Sequence, residues 1–177
     1  MKFLDNIKDT LGNRKINKIL NSQKRKIKVA NFASASSVGL LYQVSTVDYQ
    51  DVVNNYIDYL RGEVGFKKIV SLGYCEEKEL PNFILNPSMK YQFFTKKELD
   101  FSHTSKSEEV LNFIKEDFDI LIDLSRGQII PIKHIVASSC SSFKVGIHSV
   151  ENEKYFDFMI KIEETAPASS FIKQVNE

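Results

Sequence analysis

The stretch Phe118-Asp-Ile-Leu-Ile-Asp-Leu124 decides the fold. It is a short, nearly continuous apolar run, the pattern of a strand covered on both faces. On its N-terminal side, Ser105-Lys-Ser-Glu108 has the form of a capping box, in which a hydroxyl and a carboxylate satisfy reciprocal backbone donors at a helix start. Val110, Leu111, Ile114 and Phe118 then supply the buried face of that helix. On its C-terminal side, Pro131 stands where a first-turn proline belongs, and Ile132, Ile135 and Val136 continue a second helix. A buried strand between two helices is the unit from which α/β folds are built.

The same alternation extends in both directions. Val38–Val44 is a near-continuous apolar strand, and Ser45-Thr-Val-Asp48 offers helix-capping side chains after it. Val53, Ile57, Leu60 and Val64 follow at helical spacing and stop at Gly65. Lys68–Tyr74 is a second strand. Residues 75–90, with Pro81 and Pro87, read as a loop, and Tyr91–Thr95 as a third strand. Beyond the central run, Phe143–Ile147 and Tyr155–Ile162 are two more strands, and residues 168–176 form a short closing helix after Pro167. Residues 38–177 are therefore expected to form an α/β fold, a single Rossmann-like domain. Its sheet is mostly parallel, with helices on both faces through right-handed crossovers.

Residues 1–37 read as a basic amphipathic helical arm and its linker. Residues 1–28 read as a helix or a broken pair of helices: Leu4, Ile7 and Leu11 recur at helical spacing, and Ile16, Ile19 and Leu20 continue the stripe after a break at Gly12-Asn13. Ala30–Ser37, small and polar, suits a linker into the first strand.

The 177 residues carry 27% charged and 42% apolar residues, seven Gly, four Pro and two Cys. That composition excludes collagen-like, disulfide-scaffold and wholly disordered chains. The net charge of +1 conceals an opposition. Residues 1–28 hold nine basic residues against two acidic ones, a balance of +7; the remainder holds 15 basic and 21 acidic residues, a balance of −6. No stretch approaches the about 20 apolar residues needed to span a bilayer, and no signal peptide or lipidation motif is read. Cys75 and Cys140 lack a second cysteine nearby and read as reduced thiols, so a cytoplasmic location is expected.

Catalytic chemistry finds no support. His103, His134 and His148 show no pairing at metal-ligand spacing, and the serines at 138, 139, 141 and 142 lack a Gly-x-Ser-x-Gly elbow. No catalytic residue, metal ligand or cofactor is assigned. In a doubly wound sheet a ligand would lie beyond the strand C-termini at the switch point of strand order. Its expected lining is Ser45 and Thr46 after the first strand, and Asp123, Ser125, Arg126 and Gly127 after the central one. Arg126 would clamp a phosphate or carboxylate, and Asp123 would accept a ribose hydroxyl. A glycine-rich phosphate loop is nevertheless absent after Val44.

The segment Phe118–Ser125, followed by Phe143-Lys-Val-Gly146 and Tyr155-Phe-Asp-Phe-Met-Ile160, resembles an uncharacterised Bacteroidota family. With the basic N-terminus and Leu80-Pro-Asn-Phe83 the likeness covers most of the chain, and it implies a cytoplasmic bacterial protein with no assigned activity. The strand–helix–Val-Gly pattern is also similar to the N-terminal Rossmann-like half of heptosyltransferase-type glycosyltransferases. That likeness implies the fold and a degenerate nucleotide- or sugar-nucleotide-binding domain.

The basic arm carries the functional expectation. Arg14, Lys15, Lys18, Lys24, Arg25, Lys26 and Lys28 are expected to contact backbone phosphates, interleaved with Asn and Gln side chains that can reach sugars or bases. The leading expectation is a non-enzymatic binding protein docked to RNA, with the ribosome as its partner. The alternative is a membrane-peripheral subunit, with the apolar stripe inserted and the cations at anionic headgroups. A third use is an amphipathic helix docked on its own domain. The oligomeric state is not defined by the sequence.

Overall fold

A computed structural model describes residues 2–84, 91–163 and 165–177, with backbone only at 2–5 and 168. Six strands form one sheet: β1 (Ser37–Val44), β2 (Lys68–Cys75), β3 (Tyr91–Thr95), β4 (Ile120–Asp123), β5 (Phe143–Ile147) and β6 (Phe158–Ile160). Their order is β3-β2-β1-β4-β5-β6 and every pairing is parallel. This is the doubly wound order of dinucleotide-binding folds, with the switch point between β1 and β4. Residues 85–90, part of the expected loop, lie outside the described residues.

Five α-helices accompany the sheet: α1 (Lys2–Ser22), α2 (Val47–Tyr59), α3 (Glu108–Lys115), α4 (Ile130–Ser138) and α5 (Ala168–Asn176). Strand alternation divides the core. Leu40, Tyr42, Ile120 and Ile122 belong to one apolar cluster with Val53 and Ile57 of α2 and Phe171 of α5. Leu41, Leu72 and Leu121 belong to the other, with Val110 and Phe113 of α3, Ile132, Ile135 and Val136 of α4, and Ile16 of α1.

Helix α4 lies between the sheet and α1, which explains its composition. Residues Pro131–Ala137 are all buried, so the helix has no solvent face, and its sequence is apolar nearly all round.

Several boundaries differ from the sequence reading. Of the two forms expected for the arm, helix α1 takes the continuous one and runs through Gly12-Asn13 without a break. A Cβ at Gly12 would stand 2.8 Å from both Ile130 Cγ2 and the Ser102 carbonyl oxygen. The glycine thus marks a close approach of α1 to its neighbours, not a helix end. The Ser102 carbonyl belongs to a tight turn in which the Asp100 carboxylate accepts from the Ser102 and Thr104 amides and hydroxyls. Helix α3 is capped by Ser107, whose Oγ accepts from the Val110 amide, while Ser105 pairs with Leu99 in an isolated bridge. Pro131 occupies the second residue of α4.

Strand β4 is shorter than its apolar run. Phe118 leaves the ladder to pack on Phe113, ring centroids 5.0 Å apart, and Gly39 of β1 leaves room for both rings. Likewise β6 starts only at Phe158, because Phe156 turns onto Gly146 of β5, where a Cβ would stand 2.6 Å from its ring. The left-handed residue after α2 is Gly65, as its position in sequence indicates, reached through a π-helical turn at Leu60–Val64.

Candidate functional site

Two regions gather the residues singled out by sequence. The first is the switch point. The register pairs Leu41 of β1 with Asp123 of β4, so the loops beginning at Ser45 and at Leu124 emerge side by side. Ser45, Thr46, Asp123, Ser125, Arg126 and Gly127 therefore do share one edge of the sheet.

The protein's own groups occupy much of the chemistry there. Thr46 Oγ1 accepts from the Tyr49 amide at 3.2 Å, capping α2, and Asp48 sits in the first turn. A capped terminus carrying a carboxylate is a poor anion cradle. Tyr49 Oη donates to the Leu124 carbonyl at 3.1 Å, a strap from α2 to the end of β4. Burial, then the charge of Asp123, pushes that phenol well above its ordinary pKa.

Asp123 alternates with Ile120 and Ile122 and so projects with Leu121 toward α4. Its Oδ1 accepts from the Ser125 amide at 2.9 Å, and its Oδ2 accepts from Lys133 Nζ at 2.8 Å. Both oxygens are engaged within the protein. Lys133 also lies 4.8 Å from the centroid of Phe156, the ring that Gly146 admits. Arg126 donates to the carbonyls of Glu163 and Ala166, reaching toward the segment that leads into α5. Ser125 is buried and its Oγ has no hydrogen-bond partner among the described residues, and Gly127 adopts φ 76° in the turn. Among the described residues, no group of three His, Cys, Asp or Glu side chains is placed to hold a metal.

The second region is the basic arm. The C-terminal part of the apolar stripe of α1 turns inward: Ile16 is fully buried, and Ile19 and Leu20 pack on the same cluster, whereas Leu11 is exposed. Beyond Ser22 the chain continues without regular structure to Ala30, and alternate side chains hold it to the body. Gln23 Nε2 donates to the carbonyls of Ser138 and Ser139, at the end of α4, at 3.2 and 2.9 Å. Arg25 Nη1 donates to the carbonyls of Ser141 and Ser142, while its Nη2 lies 2.6 Å from Asp157 Oδ1. Those Arg25 and Asp157 side chains are 12% and 10% exposed, so this is a charge-assisted contact largely out of water, of a kind worth about 1.5–3 kcal/mol. Lys28 N donates to the Ser142 carbonyl at 3.1 Å.

The seven arm cations thus divide into two groups. Lys15 and Arg25 face the body: Lys15 Nζ donates to Thr104 Oγ1 at 2.6 Å and lies 3.6 Å from Asp100. Arg14, Lys18, Lys24, Lys26 and Lys28 are exposed, and none of them pairs with a carboxylate among the described residues. Lys24, Lys26 and Lys28 line, with Arg25, a groove of about 470 Å³ that Asp117, Cys140 and Ser142 also line.

The sequence reading missed Lys133, Tyr49 and Gln23. Lys133 had a signal: a lysine in a helix with no polar face must be buried and must find a carboxylate. Gln23 and Tyr49 carried none, because their partners are main-chain carbonyls distant in sequence.

Among the described residues no helix is long and apolar enough to cross a membrane. Neither the curated proteins nor the solved structures contain a match to the chain. A family profile does match residues 8–177, so it takes in most of α1 together with the whole sheet. By that match the chain belongs to a family of unknown function (DUF6913).

Proposed function

We propose that this protein is a non-enzymatic binding protein that docks to RNA through the outward face of its basic arm, within a bacterial cytoplasm and with the ribosome as the first polyanion to test. One observation carries the reading: five cations stand exposed, with no carboxylate partner among the described residues, along a helix and extension that Ile16, Gln23 and Arg25 fasten to the protein's own body. Such a surface attracts a polyanion at long range and releases condensed counterions on contact. The residues outside the arm carry a balance of −6, which disfavours the rest of the molecule lying on the same polyanion. The body takes up Ile16, so that residue is not offered to a membrane, whereas Leu11, Ile27 and Val29 stay exposed and make vesicle binding the competing outcome of the test.

The test is co-sedimentation of the full chain with ribosomes and with total RNA across a salt series, with and without RNase. Binding should weaken steeply with salt and vanish after RNase. Replacing Arg14, Lys18, Lys24, Lys26 and Lys28 by Gln should abolish it while the thermal transition stays in place. Binding to anionic vesicles that RNase leaves unchanged, or RNA binding retained by the five-site variant, would sink the reading.

A further inference from the structure

The chain between Ser22 and Ala30 imposes an order on its cations. Gln23 and Arg25 are half-buried and bonded to the carbonyls of 138–142, whereas Lys24, Lys26 and Lys28 are exposed. The anchoring is two-point, with Gln23 and Arg25 both fixed, so the intervening Lys24 cannot turn inward without breaking it. The Lys28 amide, bonded to the Ser142 carbonyl, fixes the far end of the run.

Residues two apart on a non-helical chain are separated by at most about 7 Å. That reach is comparable to the separation of successive phosphates along one strand of a ribose-phosphate backbone. The three lysines also line a concavity of about 470 Å³, and among the described residues Asp117 is the one carboxylate lining it. Arg25 contributes little free charge to this groove, because Asp157 already pairs with it. The positive field there comes from Lys24, Lys26 and Lys28, at alternate positions of the chain.

Resting on the RNA-binding reading above, we propose that this groove is the seat of a single polynucleotide strand, with Lys24, Lys26 and Lys28 meeting consecutive phosphates. Arg14 and Lys18, one helical turn apart on α1, then act as a peripheral charge and not as part of the strand's track. Three cations at alternate positions of one chain segment fit one strand; a duplex would present its phosphates in two rows. Cys140 also lines the groove, exposed, and reports occupancy without needing any role of its own.

The experiment uses the full chain and oligouridylate of ten nucleotides, read by fluorescence anisotropy between 50 and 300 mM KCl, ranges chosen to resolve the salt slope. A strand held by three lysines gives a log–log salt slope that falls by about 2 in Lys24→Gln/Lys26→Gln/Lys28→Gln, at about 0.7 per phosphate contact on single strands. Arg14→Gln/Lys18→Gln should change it by clearly less. Bound oligouridylate should slow alkylation of Cys140 by N-ethylmaleimide, while inorganic phosphate at equal ionic strength should not. A helical RNA duplex should bind more weakly than the single strand.

Binding with an unchanged slope in the triple lysine variant, or Cys140 alkylation unaffected by saturating oligouridylate, would overturn the groove and leave the RNA reading standing. Failure of the unaltered chain to bind any RNA would overturn both. All three lysines are exposed, so a matching thermal transition in the variant separates loss of binding from loss of fold.

Discussion

Lys133 Nζ lies 2.8 Å from Asp123 Oδ2, with the two side chains 2% and 1% exposed. The pair joins the end of β4 to the middle of α4 at the switch point of the sheet. It is sealed by Phe156 on the ammonium and by the Ser125 amide on the second carboxylate oxygen. The attraction of such a pair roughly offsets the cost of desolvating both ions, but removing one partner leaves the other charge stranded.

Lys133→Met should therefore destabilise the protein by about 3–5 kcal/mol in urea unfolding. Lys133→Met combined with Asp123→Asn should recover much of that loss, because no buried charge remains. A single variant as stable as the parent would show that water reaches the pair in solution.

At Gly12 two effects oppose each other. Alanine gains roughly 0.8–1 kcal/mol of helix propensity over glycine. Against this, its Cβ would stand 2.8 Å from the Ser102 carbonyl, in a turn pinned by Asp100, and 2.8 Å from Ile130. Overpacking of this kind costs about 1–3 kcal/mol, so Gly12→Ala should be net destabilising. Amide hydrogen exchange should localise the loss to α1 and the start of α4. A variant with raised stability would mean that the helix shifts away at no cost.

His134 provides a pH dependence. Its imidazole is buried between α4 and α1, and burial, then the positive charge of Lys15, lowers its pKa to about 4, with Asp100 acting in the opposite direction. Between the unfolded value of 6.5 and 4, the unfolded chain binds a proton that the folded chain does not, so stability falls as pH falls across that window. The full loss is about 3 kcal/mol. Below it, Asp100 and Asp119, both held under the ordinary carboxylate range by hydrogen bonds, continue the decline as they protonate. His134→Leu should flatten the stability curve between pH 6.5 and 4 while leaving the steeper acid limb. A curve of unchanged slope in that variant would assign the titration elsewhere.

The sheet was legible because its inner strands β2, β1, β4 and β5 are buried over most of their length and so read as apolar runs, and because helical spacing returns between the runs. What escaped was set by tertiary neighbours. Gly12 reads as a break by propensity, but the approach of Ile130 and Ser102 makes glycine the residue a continuous helix needs there. Ser105 satisfies the capping pattern, yet Leu99 takes it into a bridge and Ser107 caps the helix instead. The charge split was plain from composition, whereas the division between anchoring and exposed cations was not. That division follows from which carbonyls α4 leaves open at its C-terminal end, something no local pattern records.

The anchors of the arm also fix a sequence of events in time. Gln23 and Arg25 find their acceptors 115 to 132 residues downstream, at Ser138–Ser142 and Asp157. In synthesis the arm emerges before its own seat, which is complete only when β5 and the residues leading into β6 have been made. Until then the cationic segment lacks the carbonyls and the carboxylate that hold it. Its closure onto the body is a long-range step that cannot precede the synthesis of Asp157.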